Sequence, residues 1–232
     1  MPIPYRLNPL GIAPDSGPMP LTLTAVTAAT VELRATGSPS VDGLHYRSDL
    51  KGEWIPYTPG TVLEVPDGGS VQFWNSNTGL SNSGSSYVQF HLTGQLQGKG
   101  DCMSMINYAS QIAYQAFRRL FNGCSGLVTA PDISSPRVST ACFYSMFQGC
   151  GFATAPRIFA TSLVNSCCRD MFRDCQQLDR IEVDFTDWAD SANATLNWVS
   201  GVAASGTFIK PAALPEEYGV NRIPEGWTVI NK

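Results

Sequence analysis

Seven cysteines and two histidines are the residues of this chain best equipped for chemistry. A thiolate beside an imidazole makes a nucleophile, and thiolates at metal-ligand spacing make a zinc or iron–sulfur site. The spacing offers neither: no Cys-x-x-Cys pair occurs, and the densest group, Cys167, Cys168 and Cys175, has no histidine within seventy residues. His45 and His91 lie in alternating, strand-like stretches, where a satisfied or solvent-facing imidazole is the default. Gly123-Cys-Ser125-Gly misses the Gly-x-Ser-x-Gly elbow of a serine hydrolase by one residue, and neither His-Glu-x-x-His nor a Gly-rich phosphate loop occurs. The acidic residues Asp179, Glu182, Asp184, Asp187 and Asp190 lack the Gly-centred loop of an EF-hand, which leaves a solvated strand face or a calcium site as their readings. Catalysis therefore finds no support, and no metal or cofactor is expected. The thiols stay open between small buried side chains, disulfide partners and metal ligands, and an odd count leaves at least one unpaired within a single chain.

Six of the seven cysteines fall in or beside a phrase written nearly three times, and this phrase organises the chain. The copies read Phe121-x-x-Cys124, Phe147-x-x-Cys150 and Phe172-x-x-Cys175, with the Phe recurring after 26 and then 25 residues. Leu127 and Leu178 follow the first and last of these cysteines, Ala130-Pro131 returns as Ala155-Pro156, Cys142 as Cys167, and Met146 as Met171. A period of this size marks a solenoid, whose units cannot bury their apolar sides alone and must stack. Within one copy, Val138, Cys142, Met146 and Phe147 suit a short helical or 3-10 segment with one inward face, ended by Gln148-Gly149. The Ala-Thr-Ala-Pro piece that ends at Pro156 fits one extended rung of a narrow sheet. Rungs about 4.8 Å apart would set Cys124, Cys150 and Cys175 in one internal column.

The string Phe-x-x-Cys-(Ser)-x-Leu-x-x-Ala-Pro, followed by Cys-x-x-x-Met-Phe, resembles the leucine-rich repeats of the BspA type, found in surface proteins of gut Bacteroidetes and in bacteriophages that infect them. The likeness covers roughly residues 100 to 230 and is tightest in the two central copies. The second copy is one residue short before Phe152, and the opening copy has Ala116 and Leu120 where Cys and Met are usual. The segment from Asn197-Trp198 through Pro211 to Pro224-Glu-Gly-Trp227 looks like the terminal cap of such proteins. The resemblance implies surface recognition or structure with no chemistry of its own.

The totals fit that direction. With 15 Lys+Arg against 19 Asp+Glu the net charge is -4, and the longest basic run is Arg118-Arg119, which argues against nucleic acid as a partner. Only 15% of residues are charged, while Gly and Pro are abundant, as in turn-rich β structure. The amino-terminal residues contain no apolar run long enough for a secretory signal, and nothing elsewhere approaches a membrane span, so export by the general pathway and a membrane partner are not expected.

Residues 1–20 carry six prolines and read as an extended arm with a reach of up to about 60 Å. Ile3, Tyr5, Leu7, Leu10 and Ile12 alternate along it with Pro and polar residues; the arm either packs on its own domain or docks on a neighbouring subunit as a tether. Residues 21–99 switch to a period of two and read as about seven short strands, which predicts an immunoglobulin-like β-sandwich, with Gly94 to Gly100 as a polar linker. Beyond it, apolar residues from Met105 to Phe121 recur every three or four, which predicts an amphipathic helix of about four turns capping the repeats. The resulting organisation is mostly β with short helices: an arm (1–20), a sandwich (21–99), leucine-rich repeats with a helical N-terminal cap (100–206) and a β C-terminal cap (207–232).

Taken together, these features predict a non-enzymatic structural and adhesion protein on the surface of a bacteriophage particle, as a capsid decoration, head fibre or tail-attached component. Its partners would be other virion proteins, copies of itself in a homo-oligomer, and a host-surface protein or glycan. The alternative is a bacterial cell-surface adhesin. If the outer face binds a ligand, Trp188 and Trp198 are the candidate aromatics, with core or cap packing as their other reading.

Overall fold

The computed structural model describes residues 18–81, 83–189 and 193–232. The arm residues Ile3, Tyr5, Leu7, Leu10 and Ile12 lie outside them. The described chain is mostly β, in several sheets. Eight strands precede residue 100: β1 (Leu21–Ala25), β2 (Ala29–Thr36), β3 (Leu44–Ser48), β4 (Ile55–Pro56), β5 (Val62–Val65), β6 (Ser70–Asn75), β7 (Tyr87–Thr93) and β8 (Leu96–Lys99). The period of two does what it must, turning Val31 and Leu33 of β2 inward while Glu32 and Arg34 face out.

These strands form two antiparallel arrays, β4-β3-β6-β1-β8 and β5-β2-β7. Their inner faces meet through Phe73 and Phe90, whose ring centroids are 5.1 Å apart. Tyr57 crosses between them, its hydroxyl accepting from the Leu33 N–H at 2.8 Å and donating to the Thr61 carbonyl at 2.6 Å. The strand order differs from that of an immunoglobulin domain, where consecutive strands pair three times. Here β3 and β4 are the one consecutive pair among these eight, and the chain otherwise alternates between sheets or skips within one. The expected polar linker is also different: Leu96 and Gly98 are buried, and β8 pairs with β1.

Strand β8 carries the fold across residue 100. It pairs in parallel with β9 (Leu127–Thr129), so the larger sheet runs on into the first repeat. Between them sits a 3-10 turn, Cys102–Ile106, capped by Asp101, whose carboxylate accepts from the Met103 N–H at 2.9 Å. Ser104 ties this turn to the sheets, accepting from the Leu21 N–H and donating to the Phe73 carbonyl, both at 2.9 Å. One buried apolar core spans both regions.

The predicted four-turn helix is not seen; the 3-10 turn is the longest helical segment among the described residues. From Ala113 to Cys124 the backbone instead makes a ladder of tight turns. Alternate N–H groups bond three residues back, as Leu120 to Phe117 at 3.2 Å and Cys124 to Phe121 at 3.1 Å. The others reach the next coil: Phe117 to Cys142 at 3.0 Å, Arg119 to Tyr144 at 2.9 Å and Phe121 to Met146 at 2.8 Å. The pattern returns one coil on, where Phe143, Ser145 and Phe147 bond to Cys167, Arg169 and Met171. Left-handed φ recurs at every fourth residue, Gln115 (54°), Arg119 (59°) and Gly123 (77°), then Ala141, Ser145 and Gly149 in register with them. That recurring left-handed step forbids an α-helix. It nevertheless brings an apolar side chain inward about every four residues, the same spacing a helix face produces. The short helical segment expected over 138–147 is the same ladder.

The last described strands, β10 (Arg180–Glu182), β11 (Thr207–Lys210) and β12 (Thr228–Asn231), pair in parallel. Ala155 and Ile158 bond to Arg180 and Glu182 at 2.9 Å each, continuing the extended rungs on the side away from the turn ladder.

Candidate functional site

The repeated phrase builds an internal file. Phe121 and Phe147 stack at 5.5 Å between centroids with planes 7° apart, and Phe147 and Phe172 at 6.1 Å and 8°. Phe90 of β7 heads the file, 4.8 Å from Phe121, and Trp198 ends it, 6.1 Å from Phe172. The edge strand β7 thus occupies the place where a helical cap was expected. Leu127, Cys142, Met146, Met171 and Leu178 are all fully buried around this file.

The cysteines belong to it. Each thiol of the column donates to the carbonyl of the file residue one coil back: Cys124 to Phe90 at 3.2 Å, Cys150 to Phe121 at 3.2 Å, and Cys175 to Phe147 at 2.9 Å. Burial pushes the Cys124 and Cys175 thiols up to about 12, and those of Cys142, Cys150 and Cys102 well above their ordinary value. Such thiols stay protonated at neutral pH. Cys167 and Cys168 touch at 3.7 Å between sulfurs, and their shared hydrogen bond lowers the first and raises the second. All seven are free thiols.

His91 follows Phe90 on β7 and lines a cavity with Cys124 at the head of the file, and both histidines have local partners. His45 Nδ1 lies 2.7 Å from the Gly43 carbonyl. His91 Nδ1 lies 3.1 Å from Arg34, which is itself paired with Glu32 at 2.7 Å. Burial first, and Arg34 second, hold the His91 imidazole below its ordinary range.

Trp188 and Trp198 are not surface aromatics. They are 3% and 0% exposed, and both contact Phe208. Their indole N–H groups are used inside, by the Pro215 carbonyl at 3.1 Å and the Arg222 carbonyl at 2.8 Å. The spacing carried this information, because Trp198 stands 26 residues after Phe172 and takes the next place in the file.

The acidic strand face is not bare. Asp184 pairs with Lys232 at 2.6 Å and Arg157 at 2.9 Å, and Glu182 with Lys232 at 2.8 Å. Among the described residues no group of three or more His, Cys, Asp or Glu could hold a metal ion; Asp190 lies outside them. Burial opposes ionisation of Asp184, but the hydrogen bonds from Lys232 and Arg157 outweigh it and bring its carboxyl below the ordinary range. A lowered acid stabilises the fold above its unfolded value and loses that contribution as pH falls through its folded value. Asp184→Asn should therefore cost about 0.2–1 kcal/mol at pH 7. The urea midpoints of variant and wild type should begin to approach each other as pH falls below about 3.9 and meet only below the lowered folded value.

The outer face of the turn ladder is the candidate recognition surface, and sequence reasoning passed over it. Positions 118, 144 and 169 follow the same 26- and 25-residue spacing as the Phe file and place Arg118, Tyr144 and Arg169 in one column. The Arg118 guanidinium sits 4.0 Å from the Tyr144 ring centroid and that of Arg169 5.4 Å. Arg119 donates to the Tyr87 hydroxyl at 3.1 Å. A second column continues onto β7: Gln89 donates to the Asn122 carbonyl at 2.6 Å, and Asn122 to Gln148 at 3.1 Å. Outward residues of β7 and of two coils thus share one polar surface. No protein-family model, curated protein or solved structure matches this chain.

Proposed function

We propose that the chain is a non-enzymatic structural and adhesion protein displayed on a bacteriophage particle, a leucine-rich-repeat solenoid seeded on a β-sandwich. The observation that carries the display role is the unbroken file from Phe90 to Trp198, which joins sandwich and coils through one core. A stack built this way spends its interior on packing and offers its outer face as a surface. The raised, carbonyl-bonded thiols support the non-enzymatic reading, since the groups best suited to chemistry are held inert. The placement on a particle rests on the likeness of the Phe-x-x-Cys phrases to BspA-type repeats, and the anchoring role on the six prolines of residues 1–20.

Mass spectrometry of purified particles and of host envelope fractions tests the placement. The chain should be found with the particles; recovery with the envelope alone would identify a cell-surface adhesin instead. Deleting residues 1–20 should lower incorporation at least about tenfold, the loss that accompanies about 1.4 kcal/mol of attachment. Undiminished incorporation would remove the anchoring role.

A further inference from the structure

The column of Arg118, Tyr144 and Arg169 has a chemistry that packing does not explain. Tyr144 is approached by one guanidinium from the coil before it and another from the coil after it. Stacking of this kind uses the flat faces of the guanidinium and leaves its N–H edge for an anion, which it can grip with two parallel bonds. Arg173 stands on the same side, paired with Asp170 at 3.7 Å and Asp174 at 3.5 Å, and Arg169 lies 3.4 Å from Asp170. At the other end the balance changes. Among the described residues Arg118 and Arg119 make no ion pair, although they are adjacent in sequence and both half-buried. Burial, with Arg119 pushing the same way, holds Arg118 below the ordinary arginine range, a cost that a bound anion would relieve.

We propose that Arg118, Arg119, Tyr144 and Arg169 form a subsite for an acidic polysaccharide, whose carboxylate or sulfate groups meet the guanidinium edges while the sugar chain runs along the stack. This rests on the adhesion reading above and supplies its ligand class. Arg118 and Arg169 are two coils apart, roughly 10 Å at the usual rung spacing, which is the scale of a disaccharide unit. A single nucleic-acid strand fits worse. Such strands are held by bases stacked on open aromatic faces, and both faces of Tyr144 are covered.

Calorimetric titration of the purified full-length chain with polygalacturonate, dextran sulfate, neutral dextran and oligo(dT) tests the subsite. One of the two acidic polymers should bind, more weakly as salt rises, and neutral dextran should not. The Arg118→Ala/Arg169→Ala variant should lose at least about tenfold in affinity. Should its thermal midpoint show a damaged fold, Arg118→Lys/Arg169→Lys carries the test, because lysine keeps the charge but neither stacks nor forks and should still weaken binding. Absence of binding to both acidic polymers, equal binding by a folded variant, or preference for oligo(dT) would each overturn the subsite. None of these outcomes touches the placement on a particle, which is read separately from particle composition.

Discussion

Phe147→Ala should destabilise the protein by about 3–5 kcal/mol, the cost of truncating a buried aromatic whose neighbours cannot collapse into the space. Phe147 stands at the middle of the file, 5.5 Å from Phe121, 6.1 Å from Phe172 and 5.4 Å from Phe152 at its edge. Those neighbours are held by backbone bonds on both sides, Phe121 to Met146 and Phe172 to Trp198, so they cannot slide together to fill the void. Its backbone carbonyl also receives the Cys175 thiol. Urea unfolding followed by circular dichroism reads the loss. Phe147→Leu should cost less, because it removes part of the volume and keeps the shape of the file. A loss under about 1 kcal/mol for the alanine variant would show that the file does not carry the core.

Trp198→Ala should be comparably severe, about 3–5 kcal/mol. The indole touches Phe172, Phe185, Trp188 and Phe208, each near 6.1 Å between centroids, and so joins the repeats to the carboxy-terminal strands. Removing it also strips the Arg222 carbonyl of the indole N–H that lies 2.8 Å away. This expectation separates a core tryptophan from a ligand-binding one. A core residue lowers the unfolding midpoint and leaves any polysaccharide affinity of the surviving folded fraction unchanged. Loss of affinity at full stability would return Trp198 to the surface role.

Much of this arrangement was legible from spacing. Phe121, Phe147 and Phe172 lie in file because a repeat of near-constant length brings the same residue back to the same place on each coil, and alternation along β2 and β7 marked strands for the same reason. What spacing does not distinguish is a helix from a ladder of turns. Both turn an apolar side chain inward every fourth residue, and the difference lies in φ at Gln115, Arg119, Ala141 and Ser145, residue types that rarely signal a left-handed backbone. Phe90 was hidden for another reason. It lies 31 residues before Phe121, off the period and without the following cysteine, so only the pairing of β7 against the first coil reveals it as the head of the file. The column of Arg118, Tyr144 and Arg169 recurs at the same interval as the Phe file, but polar residues of mixed type carry no packing signal in the sequence.

The way neighbouring coils are joined also bears on how such a chain can change length. Phe121 bonds to Met146 just as Phe147 bonds to Met171, and the thiol of each coil finds the same carbonyl behind it. A duplicated stretch of about 25 residues inserted after Gly149 would meet, on either side, the partners it left, and the molecule would grow by roughly 4.8 Å without renegotiating its interior. Reach becomes a quantity that gene duplication can set in fixed increments, and every added increment brings one more outward position for a new side chain to try.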